Sequence, residues 1–206
     1  MDLFPIRVSI SEGTPQSSEI VFINASKYSL AYFLANILTM FPGVSEREEL
    51  TGVEESLCSR LHSEIDTQLK RYTSDLAVFS VRFPLGRIPV HLDFQVETFL
   101  KIEDWLIFRL PIGNTPEVYA RDLFLTYGLP EGELLTLFSF YIREEILRQI
   151  KIMLQNESLE VTVPRTGPKI SLIPPGEWLS QHVFAYDTPG RVSVVKEQER
   201  RRKRRG

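Results

Sequence analysis

The sequence predicts an α+β fold: two tandem β-β-α-α repeats followed by a Pro-rich segment and a basic C-terminal helix. Three observations predict it. Two windows alternate apolar and polar residues with period two, the mark of a half-buried strand. Each window gives way to apolar positions at helical spacing. Both windows open with the same grammar, a Pro and then an alternating run, at Pro5 and again at Pro89. The chain has 206 residues, 43% of them hydrophobic and 25% charged, with a single Cys. That length suffices for one large domain or two small ones. The composition excludes a collagen, a disulfide-stapled scaffold and a wholly disordered chain.

The first repeat is expected over residues 1–75. Its opening strand carries Ile6, Val8 and Ile10 on one face. Pro is tolerated at the start of a strand because its missing donor lies at the end of the ladder. A Gly/Ser/Thr/Pro-rich link leads to Ile20-Val21-Phe22-Ile23, so a hairpin is expected. Ser29 then caps a helix whose stripe is Leu30, Phe33, Leu34, Ile37, Leu38 and Phe41, stopped by Pro42-Gly43. Ser45 with Glu48 reads as a capping box for a second helix. Its stripe is Val53, Leu57, Leu61, Ile65 and Leu69, and Gly52 is a candidate break. Residues 73–83 form a junction, in which Phe79, Val81 and Phe83 alternate as an extra strand would.

The second repeat is expected over residues 84–155. Val90, Leu92 and Phe94 alternate in its first strand, and Trp105-Leu106-Ile107-Phe108 supplies the second. The link between them carries no strong turn signal. Thr115 sits at a cap position, and Pro116 suits the first helical turn because its absent N–H would be unpaired there anyway. Ala120, Leu123, Phe124 and Tyr127 form the stripe, and Gly128 ends it. The closing helix buries Leu134, Leu137, Phe138, Tyr141, Ile142 and Ile146, with Arg143, Glu144, Glu145 and Arg148 on the polar face. Residues 156–195 are a Pro-rich connecting segment. Within it Leu159–Val163 and Arg191–Val195 are strand candidates, while 164–190, around Trp178, read as loop.

Residues 196–206 are the basic tail. They hold seven cations against two carboxylates, a charge of +5. The net charge of −3 therefore divides into this tip and a body with 17 cations and 25 carboxylates, at −8. Arg200, Arg201, Arg202, Lys203, Arg204 and Arg205 are contiguous. On a helix Arg201, Arg204 and Arg205 share one face. Six adjacent cations repel one another, so the free tail frays and an acidic partner orders it. Charge alone leaves nucleic acid and an acidic protein surface open as partners, direct DNA contact included. A nuclear localisation signal has the same appearance.

Chemistry is sparse elsewhere. His62, His91 and His182 lack ligand spacing, so no metal is expected. There is no P-loop, G-x-S-x-G or C-x-x-C, so neither catalytic residues nor a cofactor are expected. Cys58 on a helix reads as a small core residue. No run approaches the ~18 apolar residues of a membrane span, and Met1–Arg7 do not read as a signal peptide. Phe22 and Asn24 end a strand. They read as a core residue and a turn residue, or as a partner-docking edge.

Several motifs together resemble the tandem repeat of the integrase-interactor family, core subunits of SWI/SNF-type chromatin remodellers. In the second repeat they are Pro89 to Phe94, Ile102-Glu103-Asp104, Thr115-Pro116-Glu117, Tyr127-Gly128-Leu129 and Tyr141-Ile142-Arg143. In the first they are Phe4-Pro5-Ile6-Arg7, Phe22-Ile23-Asn24 and Leu57-Cys58-Ser59-Arg60-Leu61. The likeness covers residues 3–155 and the arginine-rich end. His62 departs from it, standing where the helix usually has Arg, and the link from Val44 to Gly52 is longer than usual. The resemblance implies a non-catalytic scaffold in the nucleus that takes part in transcription regulation. Its repeats would dock SWIRM-containing subunits and other core subunits. Its basic tail would bind the histone-octamer acidic patch on the nucleosome, while the ATPase is another chain. Two alternatives remain: a nucleic-acid-binding module with a basic arm, and an adaptor with a nuclear localisation tail.

Overall fold

A computed structural model describes residues 3–10, 17–32, 52–96, 100–156, 163, 167–172, 183–188 and 191–195. The chain is mixed α+β and divides into two units, Met1–Ala77 and Val78–Gly206.

In the first unit, β1 (Leu3–Ile10) and β2 (Ser17–Asn24) form the expected antiparallel hairpin, with Pro5 opposite Phe22. Phe4, Ile6 and Val8 are buried, as is Ile23. Helix α1 is described over Leu30–Tyr32, where the Tyr32 amide donates to Ser29 Oγ at 3.1 Å, the predicted cap. The remainder of that helix and the Ser45–Glu48 capping box lie outside the described residues. Helix α2 (Gly52–Arg82) begins at Gly52 and buries Cys58, Leu61, Ile65, Leu69 and Leu76. Phe4 and Tyr72 stack with centroids 6.1 Å apart.

The expected strand in 73–83 is a helix instead, because α2 continues to Arg82. Phe79 and Phe83 are four apart, so they meet on one helical face at 4.8 Å, and Val81 is left out in solvent. Three alternating residues are too short a run to separate the two periods, and the helix that runs in from Gly52 carries the segment on to Arg82, just before Pro84. Residues 78–82 belong to the second unit.

The second unit continues with β3 (Arg87–Val96) and β4 (Leu100–Arg109), paired antiparallel from Arg87↔Arg109 to Val96↔Leu100. The weakly signalled hairpin is therefore present. Gly86 closes its base at φ +55°, and its carbonyl accepts the Leu110 amide at 3.2 Å. A Cβ there would approach Leu110 Cβ and N at 3.2 Å, so glycine suits both the backbone and the space. Helices α3 (Thr115–Tyr127) and α4 (Glu133–Gln155) follow. The cap of α3 is Asn114 rather than Thr115, with no side-chain cap bond, and Pro116 sits in the first turn as expected. Gly128, left-handed at φ 64°, ends it. Helix α4 packs on β3 and on α3. Phe138 is its central anchor, meeting Phe94 at 5.0 Å and Phe124 at 5.7 Å. At the other end, Arg82 Nη1 donates to the Leu154 carbonyl of α4's last turn at 2.8 Å. A cation is favoured there by the helix dipole.

The reading of 164–190 as loop is corrected. Strands β5 (Lys169–Leu172) and β6 (Val183–Thr188) lie within it, and β7 (Arg191–Val195) is the predicted strand. Together they build a five-stranded sheet of order β5-β4-β3-β7-β6, in which β3 and β7 are parallel and the other pairs antiparallel. Four to six residues between prolines carry too little periodicity to reveal themselves, so their partners define them. Residues 159–162 of the Leu159–Val163 strand candidate lie outside the described residues, as does the basic tail 196–206.

Candidate functional site

The inner layer of the second unit comes first, because it positions everything outside it. Arg143 on α4 was expected on the polar face. Instead it is 0% exposed. Its guanidinium grips Glu117 on α3 through Nε and Nη2, the latter at 2.7 Å, and Nη2 also donates to the Gly113 carbonyl at 2.8 Å. Glu145, also expected in solvent, is buried and accepts from Arg148 Nε at 2.7 Å. The correction has one cause. Helix α4 is covered on more than its apolar stripe, because α3 and β6 also pack on it, and helical period counts one face only.

Two more polar contacts join the layers. Tyr119 of α3 donates to Asp104 Oδ2 at 2.6 Å, while Asp104 Oδ1 accepts the Trp105 amide at 2.8 Å. The Tyr141 hydroxyl accepts the Asp93 amide at 3.0 Å. Burial, then the bond to the Asp104 carboxylate, pushes Tyr119 above the ordinary phenol range. Burial raises Tyr141 to about 12. Both phenols are therefore neutral donors or acceptors across all physiological pH.

The outer face of β3 and β4 is the most functionally suggestive surface. Alternation sends Pro89, His91 and Asp93 outward from β3, opposite Ile107, Trp105 and Glu103 of β4. His91 and Trp105 stack at 4.4 Å with rings 22° apart. Below them Lys101 lies 3.2 Å from Asp93 and 3.6 Å from Glu103, and Lys169 of β5 is 3.9 Å from Glu103. The hydrogen bond and the charge of Asp93 raise the Lys101 pKa, keeping it a cation. Above them Ile107 is 52% exposed, and the exposed Arg87 and Arg109 face each other. The sequence signal was present, since period two marks every one of these positions as outward. Which of two strand faces lacks a covering layer is not written in the period.

The predicted site residues fall elsewhere. Asn24 is a turn residue: its Oδ1 accepts the Ser26 amide at 3.0 Å, and its carbonyl accepts from Lys27 and Tyr28. Phe22 is half-buried on β2. On the other edge of this hairpin, Gln68 of α2 bonds Arg7 in both directions, donating to its carbonyl at 2.7 Å and accepting its amide at 3.3 Å. The β1 edge is thus occupied by a side chain, and among the described residues no further strand pairs with β2. His62 bonds the Tyr28 hydroxyl at 2.6 Å, and burial with the nearby Asp66 carboxylate raises that phenol to about 12. Arg200, Arg201, Arg202, Lys203, Arg204 and Arg205 lie outside the described residues. Among the described residues no three His, Cys, Asp or Glu gather as metal ligands would, and no helix is long and apolar enough to cross a membrane.

The chain matches no protein-family model and no curated protein.

Proposed function

We propose that this chain is a non-catalytic scaffold subunit of a SWI/SNF-type ATP-dependent chromatin remodeller, acting in the nucleus. In this reading two β-β-α-α repeats dock SWIRM-containing subunits, and Arg200–Arg205 bind the acidic patch of the nucleosome. One observation carries it. The motifs that resemble the integrase-interactor family are the ones that bond to one another in the second unit. Asp93 of the Pro89–Phe94 strand donates to Tyr141, Asp104 accepts from α3, and Glu117 pairs with Arg143 of Tyr141-Ile142-Arg143. Residues scattered over some fifty positions thus act as a set, which favours a shared architecture over coincidental matches.

The first unit supports the reading through its order, hairpin then helix, and through the β2 edge that carries Phe22 and Asn24. Among the described residues no further strand pairs with β2, and such an edge can recruit a strand or a loop from another chain. The tail supports it through charge, since arginine pairs carboxylates bidentately and six adjacent cations need an acidic partner. The body at −8 disfavours phosphate everywhere but the tip, which weighs against the nucleic-acid module.

Two experiments test the reading. The purified full chain is mixed with the SWIRM domain of a remodeller subunit. Co-elution is expected, and its absence at micromolar concentration removes the scaffold reading. Separately, Arg201→Glu with Arg204→Glu is expected to weaken nucleosome binding as much as neutralising the histone acidic patch does. Unchanged binding removes the tail assignment. Steep salt-dependent binding to free DNA instead favours the nucleic-acid module. A change of location alone favours the localisation signal.

A further inference from the structure

The outward face of the β3–β4 hairpin has an unusual charge order along its length. At its open end Arg87 and Arg109 stand directly opposite one another. Cross-strand Cβ atoms lie only about 5 Å apart, so like charges there are destabilising. No ion pair or hydrogen bond of either side chain relieves them among the described residues. Next come Pro89 and Ile107, then the His91–Trp105 stack. The far end is balanced in charge, since Lys101 bridges Asp93 and Glu103 and Lys169 lies 3.9 Å from Glu103. Among the described residues, neither neighbouring strand extends to the cationic end. Strand β5 pairs with β4 only over Leu100–Glu103, and β7 pairs with β3 only at Gln95 and Val96.

We propose that this face is a docking surface for an acidic, aliphatic-rich segment of a partner protein. Its carboxylates would pair with Arg87 and Arg109, and its aliphatic side chains would cover Ile107 and the Trp105 ring. Three features select that partner. Two guanidiniums side by side suit carboxylates in their bidentate geometry and relieve their mutual repulsion. The half-exposed Ile107 beside them favours aliphatic contact, which a phosphate backbone does not offer. At the far end Asp93 and Glu103 are already matched by Lys101 and Lys169, so the negative charge of the occupant belongs at the Arg87–Arg109 end. The proposal stands on this surface alone, whether or not the chain serves a remodeller.

The test isolates the face from the basic tail. The full chain is prepared with Arg200, Arg201, Arg202, Lys203, Arg204 and Arg205 replaced by Gln, and with Trp178→Phe. Trp105 is then the sole tryptophan, and its emission reports on this face. The probe is a short synthetic peptide alternating Glu-Glu and Leu-Leu. Saturable binding that shifts Trp105 emission is expected. Arg87→Ser with Arg109→Ser should weaken it at least about tenfold, since each substitution strips a desolvated charge pair. Both arginines are exposed, so these variants should fold as the parent does. A Lys-Lys/Leu-Leu peptide, an oligothymidine and a Glu-Glu/Ser-Ser peptide should each bind at least about tenfold more weakly. Equal binding by any of these three overturns the proposal, as does a serine variant that binds like the parent. Peptide binding that leaves Trp105 emission unmoved also overturns it. Amide NMR perturbations on the chain retaining Trp178 give the same answer should Trp178→Phe not fold. Loss of SWIRM or nucleosome binding bears on the remodeller reading and leaves this result untouched.

Discussion

Removing Glu117 should damage the second unit more than removing Arg143, although the two belong to one ion pair. The asymmetry follows from burial. The Arg143 side chain is 0% exposed, whereas Glu117 is 31% exposed. With Glu117→Ala the guanidinium stays buried and loses both of its bonds to the carboxylate, while the Gly113 carbonyl still accepts from Nη2. Stripping a buried charge of its partner costs about 3–5 kcal/mol. With Arg143→Met the stem volume is retained and Glu117 turns to solvent, so the loss should be about 1–2 kcal/mol. The double variant should be more stable than Glu117→Ala alone, because the buried charge that lost its carboxylate has gone. Urea unfolding at pH 7, followed through Trp105 emission in a Trp178→Phe background, reads all three. Equal losses for the two single variants, or a double variant worse than either, would refute the desolvation argument.

Other outcomes are equally concrete. Phe138→Ala removes the ring shared by Phe94 and Phe124 and should cost about 3–5 kcal/mol in the same unfolding assay. Tyr119→Phe leaves Asp104, 6% exposed, without its hydroxyl donor; a loss of about 1–3 kcal/mol is expected. Tyr28 and Tyr141 are raised from 10.0 to about 12 in the folded chain. Folding therefore favours the neutral phenol, and their contribution is whole below pH 10 and lost as pH rises through 12. Tyrosinate absorbance should show them ionising late, and titration of all the tyrosines near 10 in the folded chain would contradict the assignment. Cys58 is buried on α2, so a thiol reagent should modify it only as the first unit opens; rapid modification of folded chain would place it elsewhere.

Much of the architecture could be read from residue pattern. Alternation around Ile6-Val8-Ile10 and Val90-Leu92-Phe94 located both first strands, and Gly128 located the end of α3. These signals are local, since each depends on spacing within one element or on one residue's backbone freedom. The opposite cases share a cause too. Phe79, Val81 and Phe83 suit a strand until the helix that runs in from Gly52 is known. Lys169–Leu172 becomes a strand only because β4 offers it a ladder. Asn24 was legible as a turn residue from its type, while the occupation of the β1 edge by Gln68 required two segments to meet.

The sequence by itself determined the class of fold, the two strand pairs, the apolar stripes over Leu61–Leu69 of α2, Ala120–Phe124 of α3 and Leu134–Ile146 of α4, though not Tyr127, which is exposed, and the division of charge between an acidic body and a basic tip. All of these follow from period, from chain stereochemistry and from counting. Only the tertiary structure decided that Arg143 and Glu145 lie inside and that Arg87 and Arg109, both exposed, confront each other across the β3–β4 ladder. A residue's environment depends on which other layers arrive, and a polar side chain written on the outer arc of a helix is buried once a second helix supplies it with a partner.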